Sequence, residues 1–212
     1  MTIILNIETS TKNCSISFAK NGVPFFIIEE LSENYSHAEK IHCFISYAIE
    51  ANLLKLSEIK AICVNKGPGS FTGLKIGLSI AKGLCYGLNK PLLTTDTLSI
   101  IIEGLRFKKG IIIGIIYTIS QELYIEIFNE NRTRITNSQI LYIKKNSFQE
   151  LAQYKIYHLG NEIRKSNFYV KTPIYFLSEI YPSSQEMAFI SYKYFQNNKI
   201  EILSKFEPCY GK

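Results

Sequence analysis

The stretch from Ala61 to Leu88, AICVNKGPGSFTGLKIGLSIAKGLCYGL, constrains the fold most, because its hydrophobic period changes in the middle. A short apolar run ends at Val64, and the chain turns through Gly67, Pro68 and Gly69. A long periodic apolar segment without proline follows, which reads as strand, tight loop, helix. The loop sits at a helix N-terminus, with Ser70 or Thr72 as N-cap, and free amides there suit an anion or a carbonyl. Two phosphate motifs fail on it. The Walker loop needs Gly-Lys before Ser or Thr, and the dinucleotide fingerprint needs its third glycine at Thr72, whereas Gly73 comes one residue late. A structural turn or a partner contact stands ahead of a nucleotide phosphate.

The helix after the loop carries Gly73, Gly77, Gly83 and Gly87, each roughly 0.8–1 kcal/mol worse than alanine in a helix interior. About 3 to 4 kcal/mol must be offset by packing. At 3.6 residues per turn the glycines share an arc of roughly 120°, interleaved with Ile76, Ile80, Ala81 and Leu84, and opposite Lys75, Ser79, Lys82 and Tyr86. Such a low face lets another backbone approach closely, either from the chain's own sheet and helices or from a partner. The two cases differ in their response to Gly77→Leu. An internal face unfolds, whereas a partner-facing one keeps its fold and loses assembly.

Upstream, residues 3 to 8, 14 to 19 and 23 to 31 read as a meander of three strands, with a polar turn at Thr9 to Asn13 and an Asn21-Gly22 hairpin signal. Tyr35 to Leu54 reads as a helix with Asn34 or Ser36 as N-cap. Its apolar residues span roughly 200°, against the ~100° that burial on one sheet requires. Part of that surface, including Ile41, Ile45 and Ala48, is expected to meet a second helix. His37 and His42 sit five residues apart, which turns the imidazoles roughly 140° away from each other, so they cannot share one metal ion. After the central block, Pro91 to Thr95 gives a strand and Asp96-Thr97 caps a helix to about Arg106. The order β-β-β-α-β-α-β, with crossovers that force the later strands parallel, is a ribonuclease-H-like pattern.

Four blocks together, IETSTKNCSISF, SHAEKIH, GPGSFTGLKIGLSIAKGL and PSSQEMAFISYKYF, resemble the TsaB (YeaZ) family, the partner subunit in bacterial tRNA threonylcarbamoyladenosine synthesis. The resemblance implies two actin-like ATPase lobes of α/β class, each with a mixed sheet. The first covers residues 1–106 with the partner-binding helices, and the second, smaller and degenerate, covers 107–212. It also implies a noncatalytic scaffold that docks a TsaD-like (Gcp) catalytic subunit and works with a TsaE-like ATPase. tRNA is then met through the complex, ATP and metal belong to the partner subunit, and the chain alone is either a homodimer or a monomer. The expected interface is Ile41, Ile45, Ala48, Gly73, Gly77, Ile80, Ala81, Leu84 and Gly87. The catalytic paralogue's His-x-x-x-His metal site is missing here, as it is in the TsaB family.

Two other functions stay open. Glu8, Thr9 and Ser10 resemble the first phosphate loop of actin-like and sugar-kinase ATPases, where an acid and hydroxyls face ATP and Mg²⁺. An ATP-dependent phosphotransferase needs a matching loop in the second half. There strands are expected at 111 to 118, 121 to 129, 134 to 143 and 156 to 159, with helices near 147 to 153 and from 183 to about 196. The family's acidic residue after the first of these strands is replaced by Ile116-Tyr117-Thr118. A peptidase needs a nucleophile with a base, and no Gly-x-Ser-x-Gly elbow is present.

Composition bears on location and partners. The five cysteines form no C-x-x-C pair, which suits a reducing compartment, and Cys14 and Cys63 read as small buried hydrophobes in strands. MTIILNIETS lacks the basic start of a signal peptide, and no apolar run reaches the ~20 residues of a membrane helix, so a cytoplasmic protein is expected. Residues 1 to 106 hold 10 basic and 9 acidic side chains, and 107 to 212 hold 14 and 9. This diffuse tilt toward Arg132, Arg134, Lys144, Lys145, Arg164 and Lys165 suits a lysine-rich surface, or a weak and secondary contact with a polyanion.

Overall fold

Both faces of the first sheet are covered, which is why β1 (Ile3–Glu8) is buried at every position. It pairs antiparallel with β2 (Asn13–Lys20), which pairs antiparallel with β3 (Val23–Leu31). The β2–β3 turn is the Asn21-Gly22 hairpin that the sequence signals, both residues having positive φ (51° and 84°). Helix α1 (His37–Glu50) then leads to β4 (Ile59–Asn65), parallel to β1. Helix α2 (Phe71–Leu88) leads to β5 (Leu92–Thr95), parallel to β4. The order is β3-β2-β1-β4-β5. Helix α3 (Thr97–Gly104) follows, its first turn held by Asp96, whose carboxylate accepts from the Ser99 amide at 2.9 Å. The computed structural model describes residues 1–32, 37–51, 54–105, 111–117, 123–129, 131–135, 139–141, 156–159, 174–177 and 180–209.

Strand alternation divides the core. Leu5 and Ile7 of β1, with Ile16 and Phe18 of β2, face α1 and α2, where they pack with Ile41, Ile45, Leu78 and Ala81. Ile4, Ala61, Cys63 and Leu93 point the other way, onto Ile100 of α3 and Met187. Met187 belongs to the last helix, α4 (Ser184–Gln196), which follows the strands of the second unit in the chain. The expectation that this helix belongs with the second half is corrected by its packing. The chain forms two compact units, and Tyr181–Tyr210 rejoins Met1–Glu103 in the first. An apolar helix stripe shows that a sheet face is covered but not which one, and the uncovered face was that of the first sheet.

The second unit, essentially Gly104–Ile180, has strands β6 (Ile111–Tyr117), β7 (Leu123–Phe128), β8 (Gln139–Leu141), β9 (Ile156–Leu159) and β10 (Ile174–Leu177). The order is β10-β9-β6-β7-β8. β6–β7 and β7–β8 are antiparallel, and β6–β9 and β9–β10 are parallel. This is the first sheet's topology over again. β10 is not among the strands expected from the sequence. The helix expected near 147 to 153 and Thr118 lie outside the described residues. Among the described residues, no helix is long and apolar enough to cross a membrane.

Candidate functional site

The turn after β1 is the meeting point of the first unit. Glu8 is fully buried there, and both its carboxylate oxygens are occupied: the Ser10 amide donates to one at 2.6 Å and Asn65 Nδ2 to the other at 2.6 Å. Burial pushes the Glu8 carboxyl up to about 7, against the opposing pull of hydrogen bonds from Ser10, Asn65 and Thr9. Asn65 Nδ2, at the end of β4, also lies 3.0 Å from Ser10 Oγ and 2.9 Å from Thr97 Oγ1, so its two hydrogens are shared among three acceptors, while its Oδ1 accepts from the Gly67 amide at 2.8 Å. One amide side chain thus ties together the ends of three parallel strands and the loop before α2. No sequence motif marks Asn65, because Glu8 and Thr97 lie 57 and 32 residues away from it in the chain.

The glycine block closes over this turn. The Ser70 amide donates to Ser10 O at 2.7 Å, and Ser70 caps α2 as expected, its Oγ accepting from the Gly73 amide at 3.2 Å. Thr9 Oγ1 donates to Gly73 O at 2.8 Å. A Cβ on Gly73 would collide with Thr9 O, and one on Gly77 with Thr9 Oγ1. A Cβ on Gly83 or Gly87 would have nothing within 4 Å. The glycine face therefore has two halves: the first receives the Thr9–Ser10 turn of the same chain, and the second is open. On the other side of the turn, His37 at the start of α1 donates from Nε2 to Thr11 O at 2.8 Å. Burial lowers the pKa of His37, while His42 is exposed.

The residues expected at a partner interface are distributed accordingly. Ile41, Ile45, Ala48 and Ala81 are core residues, because the sheet takes the apolar stripes of α1 and α2 first. Gly73 and Gly77 pack on the turn, Ile80 and Leu84 are half-buried against the core, and Gly87 is exposed. α1 and α2 lie side by side as the wide stripe of α1 implied. Their outward surface instead shows Tyr47 (59% exposed), Phe71, Gly83 and Tyr86 (85% exposed). For Tyr86 the signal was its position opposite the glycine face. Phe71 carries the Lys75 ammonium 4.0 Å over its ring.

Cys14 and Cys63 are buried as the sequence suggested, and burial raises both thiols, Cys14 to about 12. Among the described residues no group of three or more His, Cys, Asp or Glu is placed to hold a metal ion. Arg132 donates to Leu105 O at 3.1 Å, and Arg134 stands over the Phe128 ring. Lys144, Lys145, Arg164 and Lys165 lie outside the described residues.

A family model described as TsaD, tRNA N6-adenosine threonylcarbamoyltransferase, matches residues 30–209. The tRNA threonylcarbamoyladenosine biosynthesis protein TsaB of Escherichia coli (strain K12) is 32% identical over 107 residues, which is 50% of this chain and 46% of that protein. A tRNA N6-adenosine threonylcarbamoyltransferase of Staphylococcus haemolyticus is 32% identical over 108 residues, 43% of this chain and 31% of that one. The aligned stretches thus span between 40% and 62% of the length of the TsaB relatives. A solved structure of YeaZ from Pseudomonas aeruginosa matches over 99% of this chain and 100% of that one at a TM-score of 0.79 and 17% identity, which shows the shared fold. The family model matching residues 30–209, together with the matches to TsaB proteins, makes the chain a member of the TsaB (YeaZ) family within the TsaD-type group.

Proposed function

We propose that this chain is a noncatalytic scaffold in tRNA threonylcarbamoyladenosine biosynthesis, docking a TsaD-type transferase that performs the chemistry. One observation carries the reading: the turn where an actin-type ATPase would receive a phosphate is filled by the chain itself. The amides of Ser10 and Ser70 already have acceptors, Glu8 faces inward onto Asn65, and α2 lies against Thr9. ATP, metal and tRNA are then handled by the partner, with a TsaE-like ATPase in the cycle, in the cytoplasm. The open half of the glycine face, Gly83 and Gly87 flanked by Tyr86, supports close approach of a partner helix, or of a second copy when the chain is alone.

A phosphotransferase would have to break the Glu8–Asn65 lock before binding a nucleotide. A peptidase finds no support in His37, whose Nε2 holds Thr11 O, or in thiols that burial keeps protonated. Co-purification with a TsaD-type transferase, then assay of threonylcarbamoyl transfer with each subunit omitted, tests the proposal. Transfer that needs both proteins supports the scaffold. Transfer or ATP hydrolysis by this chain alone overturns it.

A further inference from the structure

After α4 the chain doubles back through Asn198 (φ 52°), and the Lys199 ammonium stands 4.6 Å over the Tyr194 ring. It then follows the outer edge of β5. The Glu201 amide donates to Leu92 O at 2.9 Å, and the Glu201 carboxylate accepts from Thr94 Oγ1 at 2.7 Å. A turn in which the Lys205 and Phe206 amides both donate to Ile202 O presses Leu203 and Phe206 onto the main core. Lys82, halfway along α2, donates to Phe206 O at 2.8 Å. The segment finishes on the glycine loop, where the Cys209 amide donates to Lys66 O at 2.7 Å and Cys209 O covers Gly67. Gly67 has φ +102°, and a Cβ there would strike Cys209 O, so the position suits glycine on both counts.

The 66–70 loop is thereby held from two sides. Ser10 O and Asn65 grip it from within, and the backbone of Cys209 grips it from outside. The outer grip is the weaker, because Ile200 and Ile202 remain 49% and 62% exposed and the contact with the loop is largely a single backbone hydrogen bond. Segments with few buried contacts open first and independently of the core.

We infer that residues 199–209 form a strap that sets the position of the 66–70 loop and of the first turn of α2. Its effect on partner binding rests on the docking reading above. A bound strap keeps the start of α2 seated on the Thr9–Ser10 turn, and a released strap loosens that start while the sheet stays folded.

Amide hydrogen exchange separates these states. A chain lacking residues 203–212 should exchange at 67–74 at least about tenfold faster than the full chain, while amides of β1, β2 and β4 change by less than about twofold. Cys209→Pro replaces the amide that donates to Lys66 O with a ring carbon, which breaks that bond without shortening the chain, and should move the same residues in the same direction, which keeps the test valid if the shortened chain does not fold. Unchanged exchange at 67–74 in Cys209→Pro overturns the strap, and so does acceleration that spreads equally to β1 and β4. Affinity for the TsaD-type transferase is measured in parallel. Faster loop exchange with unaltered affinity supports the strap and removes the start of α2 from the docking surface, so the two failures are distinguishable.

Discussion

Alanine placed at Gly77 and at Gly83 should shift stability in opposite directions, although both lie inside α2 and both gain the same intrinsic helix preference. That gain is about 0.8–1 kcal/mol. At Gly83 nothing lies within 4 Å of the added carbon, so the gain stands alone. For a domain of this size it raises Tm by about 2–4 °C. At Gly77 the new Cβ falls on Thr9 Oγ1, well inside the 3.0 Å that real Cβ atoms keep. Relief requires either a shift of α2, for which overpacking costs about 1–3 kcal/mol, or rotation of Thr9, which gives up its bond to Gly73 O. Leaving that buried hydroxyl unpaired costs about 1–3 kcal/mol, while the Gly73 carbonyl keeps its helix bond within α2. Less the helix gain, the net loss by either route is about 1 kcal/mol, or about 2–4 °C in Tm. Gly73→Ala should be harsher still, because it meets the Thr9 carbonyl, which cannot rotate away. Calorimetric melts of the isolated chain decide the matter. A Gly77→Ala protein that melts at or above the parent, or the same sign of shift at both positions, would refute the seating of α2 on the first turn.

Protonation of Glu8 makes stability depend on pH: its carboxyl lies at about 7 in the fold against 4.5 as a free group. The contribution is complete below about 4.5 and is lost as pH rises through about 7, on the order of 3 kcal/mol in all. Urea midpoints from pH 4.5 to 8 should therefore fall for the parent relative to Glu8→Gln, and parallel curves would exclude the assignment. Isothermal titration of the isolated chain with ATP and Mg²⁺ should give no micromolar binding heat, and a heat that disappears in Glu8→Ala would return the phosphotransferase to favour. Any binding of tRNA by the lone chain should be electrostatic and weaken steeply between about 50 and 200 mM salt; salt-insensitive, sequence-specific binding would contradict this.

Local chemistry was legible in the sequence wherever a residue's conformation depends on its neighbours. Asn21-Gly22 dictates a tight hairpin through its positive φ angles, Ser70 caps α2 through its own side chain, and the change of period at Val64 marks strand, loop and helix. The order of elements in the first unit and the parallel setting of β4 and β5 followed from those elements and their crossovers. Glycine, by contrast, records only that something comes close. Four glycines on one helix predict a smooth face, and only the tertiary structure shows that Gly73 and Gly77 receive the chain's own Thr9 while Gly83 and Gly87 stay open. Likewise the inward lock of Glu8 by Asn65, the return of α4 to the first sheet and the seating of Cys209 on Gly67 join residues far apart in the chain. Such contacts are chosen by which buried polar group still lacks a partner and which apolar face is still uncovered, and neither is a property of any local stretch of sequence.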